Sequence, residues 1–199
     1  ACTAGLVSWD LYLFNGEVVK WFTSDLHFGH KNILEYCDRP CEDLYQMQEM
    51  LISNWNSVVK PIDDVFHLGD FSFLRPAETR AISASLNGNK HAIWGNHDSR
   101  NNLVSCGFTS VYHSAKLKLA KDVYVHLNHF PYYGDHEGLE DRYVELRPKR
   151  TDTNWLLHGH VHDCWQVKAE EKMINVGCDV WGFKPVSADK ILDIIRKSR

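Results

Sequence analysis

Lys90-His91-Ala92-Ile93-Trp94-Gly95-Asn96-His97-Asp98 sets the reading of the whole chain. It begins as a short apolar run, the size of a buried strand, and stops at a glycine followed by three side chains rich in metal-binding and acid–base chemistry. Working outward, the same grammar recurs. Asp64-Val65-Phe66-His67-Leu68 ends at Gly69-Asp70, and Asn154-Trp155-Leu156-Leu157 runs into His158-Gly159-His160-Val161-His162. Glu17–Phe22 leads into Thr23-Ser24-Asp25-Leu26-His27, and Val123–Leu127 leads into Asn128-His129. In open α/β sheets the carboxyl ends of strands are where sites assemble, so five such clusters point to one shared site.

The segments between them read as connectors. Leu44, Met47, Leu51, Trp55 and Val58 recur at helical steps, with Asp43 placed to cap the helix. Pro76–Leu86 reads as a helix with proline in its first turn and Gly88 beyond its end. Leu11–Phe14, Asn15-Gly16 and Glu17–Phe22 suggest a hairpin, as do the strands flanking Lys121-Asp122 and the pair Cys164–Lys168 and Met173–Val176. Ser187 can cap a last helix over Ala188–Lys197. The order implies an α/β first half with parallel strands and a more antiparallel second half.

The chemistry follows from residue types. Asp25 and His27 stand two apart, so both side chains can point the same way, and His158, His160 and His162 repeat that spacing. Asp70 offers a carboxylate able to bridge two ions, Asn96 a carbonyl oxygen and His129 an imidazole. With two of the three late histidines, this is a mixed nitrogen and oxygen set of seven donors. It suits Mn first, or Fe, Zn, Co or Ni, better than Mg, which avoids imidazole. Seven donors are too many for one ion that keeps an open position, and they suit two divalent ions about 3.5–4 Å apart. Gly69, Gly95 and Gly159 directly precede Asp70, Asn96 and His160, allowing tight turns and close approach.

These motifs in this order resemble the calcineurin-like metallophosphoesterases, in particular the small bacterial and phage members: Asp25-Leu26-His27, Gly69-Asp70, Gly95-Asn96-His97-Asp98, His129 and Gly159-His160-Val161-His162. The resemblance spans Asp25 to His162 and continues into Asn175-Val176-Gly177. It implies a sandwich of two mixed β-sheets flanked by helices. It also implies that Asp25, His27 and His162 hold one metal, that Asn96, His129 and His160 hold the other, and that Asp70 bridges them. A hydroxide bridging the metals would attack phosphorus, His97 would serve the leaving oxygen as general acid, and Asp98 would orient His97 through a hydrogen bond.

Around this set stand weaker candidates for substrate contact. His30 follows the first motif and could touch substrate or cap a helix near Asn32; Arg39 and Arg75 follow the first and second motifs. The stretch Phe130–Thr153 shows no period and reads as a substrate loop, with Arg142 or Arg147 on phosphate and Tyr132 stacking a base. The rival reading of that loop is a solvated charged connector. His67 and His158 are read as packed residues.

Composition bounds the rest. The chain of 199 residues fits a single domain, with residues 1–16 as an extension and first hairpin strand. A formal charge of −4 argues against a protein that grips duplex nucleic acid through many phosphates, and leaves a small phosphorylated substrate drawn in by metal cations. No apolar run approaches the roughly 20 residues of a membrane span. Ala1–Asp10 lacks the basic-then-apolar pattern of a signal peptide, and the six cysteines form no C-x-x-C pair, so a reduced cytoplasmic protein is expected. The expected reaction is phosphodiester hydrolysis on a nucleotide or cyclic nucleotide. A phosphomonoesterase or nuclease on the same site is the alternative, and a non-catalytic interaction module of this fold is the reading from another class. Composition does not fix the oligomeric state.

Overall fold

The computed structural model describes residues 17–135, 141–150 and 154–198. Four strands, β1 (Lys20–Thr23), β2 (Asp64–His67), β3 (Asn89–Ile93) and β4 (Ser110–Tyr112), lie parallel and in chain order. The crossovers between them run through α1 (Ile33–Tyr36) and α2 (Leu44–Val58), then α3 (Pro76–Ser85), then α4 (Arg100–Ser105). Right-handed crossovers that always advance in one direction leave every helix on the same face of the sheet. The packing agrees. Val65 and Ala92 turn toward Met47, Leu51 and Trp55, while Phe22, Leu68 and Ile93 turn the other way.

The opposite face meets a second sheet. Among the described residues it comprises β5 (Ala115–Ala120), β6 (Val123–Leu127), β7 (Trp155–His158), β8 (Val167–Lys168) and β9 (Met173–Asn175), in the order β5-β6-β7-β9-β8. Val125, Leu127, Leu157 and Ile174 pack against Phe22, Leu68 and Ile93 in one shared core. Two residues, Val186–Ser187, form β10 antiparallel to β1, and α5 (Ala188–Lys197) adds Ile191 and Ile195 to the same core. The expected sandwich of two mixed sheets with helices is therefore present.

Local causes are visible in the long helix. Asp43 accepts the Gln46 N–H at 2.8 Å, and Met47, Leu51 and Trp55 form a buried stripe at four-residue spacing. Each of these side chains contributes about 2 kcal/mol by leaving water, which fixes α2 far more firmly than its propensity would. The Trp55 indole N–H also reaches the Asn87 carbonyl at 2.9 Å, tying α2 to the chain beyond α3.

The second half is the more antiparallel of the two, as expected, but its antiparallel partners occur only at the sheet's edges: β6, β7 and β9 run parallel at its centre. Parallel pairing of β6 with β7 needs a long crossover, which the 130–153 segment supplies. β2 and β10 flank β1 at Trp21 and Phe22. The first strand and turn of the expected N-terminal hairpin fall within residues 1–16, which lie outside the described residues.

Candidate metal centre

The two sheets present their carboxyl ends on one side, and the backbone ladders continue past them. Asp25 N–H reaches Gly69 O at 3.0 Å and His27 N–H reaches Asp70 O at 3.1 Å, setting the first two clusters side by side. Gly159 N–H to His129 O at 3.0 Å does the same for the second sheet, and a bridge between Ser24 and Gly177 joins the two sets. Two compact groups result. Donor atoms of Asp25, His27 and His162 lie within 4.8 Å of one another, and so do those of Asp25, Asp70 and His129. Asn96 Oδ1 is 3.1 Å from His129 Nε2. His160 stands beside His129, ring centres 5.2 Å apart, but its Nε2 turns to Asp135 at 2.8 Å.

The backbone is strained where these side chains are. Ten described non-glycine residues have positive φ, and five of them are Asp25 (57°), His27 (53°), Asp70 (59°), His160 (71°) and His162 (45°). Left-handed backbone costs an L-residue roughly 1–2 kcal/mol, and such strain persists where the surroundings impose it, typically at functional sites. The glycines serve close approach: a Cβ on Gly95 would collide with Asp70 Oδ1, and one on Gly159 with Asp25 Oδ2.

Charge and hydrogen bonding test whether cations fit. Asp25 and Asp70 are 0% and 2% exposed, and among the described residues no Lys or Arg side chain pairs with either carboxylate. Burial pushes the Asp25 carboxyl above its usual range, and neighbouring Asp70 adds to the rise although His162 and His129 oppose it. Both ring nitrogens of His27 are buried without a hydrogen-bond partner. Its Nε2 faces Asp70 Oδ2 at 3.6 Å and Asp25 Oδ1 at 4.0 Å, too long for hydrogen bonds and suited to donors that share an ion at about 2 Å. Burial, with His162 and Arg39 nearby, holds the His27 imidazole well below its ordinary pKa, in the neutral form a metal requires. The residues present fit divalent cations.

The sequence matches the calcineurin-like phosphoesterase superfamily domain over residues 22–185. The chain belongs to that superfamily. It is 31% identical to an uncharacterized protein of Methanocaldococcus jannaschii, over 90% of this chain and 92% of that protein. It is also 34% identical to the Gene 66 protein of Mycobacterium phage L5, over 88% and 93%. Among solved structures, a protein of unknown function from Aquifex aeolicus aligns at a TM-score of 0.71 and 26% identity, over 90% of this chain and all of that one. Membership carries the general chemistry: a hydrolase of phosphoesters that works with divalent metals on phosphorylated substrates.

A cleft of about 530 Å³ opens over this superfamily centre, lined by His27, His30, Ile33, Tyr36, Cys37, His97, Arg142 and His162. His97 is exposed there, 5.8 Å from the His27 ring centre. Its backbone N–H donates to Asp70 Oδ1 at 3.0 Å. Asp98 does not hydrogen-bond the His97 ring. Its oxygens accept the N–H groups of Asp70 at 2.7 Å, Phe71 at 3.0 Å and Gly95 at 2.9 Å, so it braces the turns that carry the ligands. Burial, then Asp70, raises the Asp98 pKa. His30 faces the cleft instead of capping α1, whose N-cap Asn32 makes no side-chain capping bond.

The arginines separate sharply. Arg142 lines the cleft with its side chain 54% exposed, its Nε 3.3 Å from Asp135 Oδ2. Arg39 and Arg147 are no substrate contacts, because both guanidinium groups are consumed inside the fold. Arg39 pairs with Asp179 at 2.8 Å and donates to the carbonyls of Asp25 at 2.7 Å and Leu26 at 2.9 Å. Arg147 pairs with Asp135 at 2.8 Å and donates to Pro131 O and Gly134 O, stapling its own loop. Arg75 is exposed at the start of α3 and is not among the residues lining the cleft. Tyr132 buries its hydroxyl and also stays out of the lining. His67 and His158 sit packed, His67 between Phe71 and Phe108 and His158 against Trp165.

Sequence reading missed Asp135 and Asp179. Asp135 joins His160 to Arg147, and Asp179 lies 3.6 Å from His162 Nδ1 while holding Arg39. A lone aspartate shortly after a motif looks like any turn residue, and only the partners, distant in sequence, reveal it. Tyr36 and Cys37 in the lining were missed as well.

Proposed function

We propose that this chain, as one domain, hydrolyses a phosphodiester of the nucleotide or cyclic-nucleotide class at a dinuclear centre, with Mn the favoured metal. Asp25, His27 and His162 would hold one ion, Asn96, His129 and His160 the other, and Asp70 both. The observation that carries this is the pair of buried carboxylates, Asp25 and Asp70, held by left-handed turns among imidazoles with no Lys or Arg among the described residues paired to them. Two divalent ions, when bound, acidify water and draw charge from the phosphoryl group.

The chain's own residues do the rest. Asp98 and the Asp70 to His97 hydrogen bond lock the turn that presents His97. From its exposed position at the cleft, His97 passes a proton to the leaving oxygen as the bond to phosphorus breaks, so water and diester yield a monoester and an alcohol. Arg142, the one arginine in the lining, meets the non-bridging phosphoryl oxygens as a charge-assisted donor. Asp135 fixes the ring of His160 in the way a carboxylate fixes a metal-binding histidine. The five described cysteines are free, which supports a reducing, cytoplasmic setting; no described helix is long and apolar enough to cross a membrane.

The test is metal analysis with a Mn-supplemented screen of nucleotides, cyclic nucleotides, oligonucleotides, monoesters and bis(p-nitrophenyl) phosphate. Two ions per chain and diester turnover lost on His97→Ala support the proposal. Turnover of monoesters or oligonucleotides alone replaces the substrate class. No metal and no turnover leaves an interaction module of the same fold.

A further inference from the structure

Two exposed aromatic rings that the reaction itself does not require stand at the cleft: Tyr36 in its lining, and Phe73 just behind the lining histidines His27, His30 and His97. Phe73 is 42% exposed, the only phenylalanine so exposed among the described residues, while Phe22, Phe28, Phe71 and Phe130 are at most 1% exposed. Its ring lies against three site imidazoles, 4.4 Å from His30, 4.8 Å from His97 and 5.3 Å from His27, centre to centre. Tyr36 is 69% exposed, lines the cleft and meets the His30 ring at 6.2 Å. Phe73, packed on the candidate acid His97, keeps apolar surface in water where a ligand would cover it, and Tyr36 adds a second exposed ring at the same cleft. Neither ring carries a charge, whereas Arg142 lines the same cleft as a cation. A ligand that matches both is an anion bearing a planar ring.

We infer that Phe73 and Tyr36 form a subsite for a planar aromatic group carried by the phosphoester, on the His97 side, so that ring-bearing esters of nucleoside or aryl type are selected over alkyl esters. This rests on the proposed phosphodiesterase reading and adds to it the residues that choose the organic group. His97 touches Phe73, so a ring stacked there holds the ester oxygen that receives the proton close to its donor. Face-to-face or edge contact with an aromatic group adds to the area buried, and together these are worth about tenfold in affinity.

Hydrolysis of bis(p-nitrophenyl) phosphate by the full Mn-loaded chain, inhibited by phenylphosphonate or by methylphosphonate, reads this subsite as a ratio. The two inhibitors offer the same charged group to the centre and differ in the ring. The wild-type chain is expected to bind phenylphosphonate about tenfold more tightly, and Phe73→Ala and Tyr36→Ala should each bring the ratio toward one. Tyr36→Ala alters a residue so exposed that the fold does not depend on it, and Tyr36→Phe should keep the ratio. Metal-dependent turnover with a wild-type ratio near one overturns the subsite alone, as does a ratio unchanged in both alanine variants. Absence of metal-dependent turnover in the wild-type chain overturns the phosphodiesterase reading and the subsite with it.

Discussion

Replacing Arg39 by Met should unsettle the metal centre without touching substrate. The Arg39 and Asp179 side chains are 0% and 2% exposed and meet at 2.8 and 3.0 Å. Removing one partner of a buried pair leaves the other charge uncompensated, at about 3–5 kcal/mol. The variant also strips donors from the carbonyls of Asp25 and Leu26, the turn that carries the first two ligands. In a chain of this size each kcal/mol shifts the melting midpoint by about 2–4 °C, so a fall on the order of 10 °C is expected in metal-free buffer with a chelator. Arg39→Lys should recover only part, since an ammonium cannot reproduce the two-point contact. Adding Asp179→Asn to Arg39→Met should cost less than the sum of the two single changes, because the stranded charge is gone. Circular dichroism melts with isothermal titration of Mn measure both effects, and metal affinity should fall tenfold or more. A variant that melts within about 2 °C of wild type, binds metal normally and shows only a raised KM would refute this account and restore Arg39 as a substrate contact.

Other predictions are shorter. His97→Ala should lower kcat/KM for a diester by about 10²–10⁴-fold with two ions still bound, measured by kinetics and metal analysis; lost metal would mean that the residue is a ligand. Asp135→Asn should weaken metal binding about 10–100-fold, read by titration, and Asp135→Ala should loosen Arg147 and expose the loop to protease. Arg142→Ala should raise KM with little change in melting, its side chain being half exposed; unchanged kinetics would remove it from the substrate site. Burial, then His129, holds His67 down to about 3, against 6.5 when unfolded. The unfolded chain therefore takes up the proton first, and the stability tied to the neutral ring, on the order of 5 kcal/mol, is lost as pH falls from 6.5 toward 3. Urea melts of His67→Leu against wild type across that range should show the difference between them shifting in favour of the variant as pH drops.

Much of the fold is written locally. The stripe Met47, Leu51 and Trp55, the Asp43 and Ser187 caps, and the strands that stop at Gly69, Gly95 and before His129 all obey short-range rules, and those rules also place the candidate ligands. What escaped was either short or distant. Helix α4 has six residues, β4 three and β10 two, too few for a period to show. The parallel pairing of β6, β7 and β9 depends on how far the chain travels between strands, which hairpin signals at the sheet's edges conceal. Arg39 and Asp179 lie 140 positions apart, so a motif-adjacent arginine looked like a phosphate ligand until its partner came into view. Asp98 next to His97 suggested a side-chain pair, but three backbone N–H groups claim the carboxylate first. Exposure of Phe73 and Tyr36 is a property of the assembled surface and has no counterpart in spacing.

The left-handed conformations at Asp25, His27, Asp70, His160 and His162 have an evolutionary corollary. Glycine or asparagine would relax each of these sites, at a gain of up to about 1 kcal/mol apiece where the side chain no longer matters. A descendant lineage released from turnover would therefore drift toward those residues at these five positions first, becoming sturdier as it lost its chemistry.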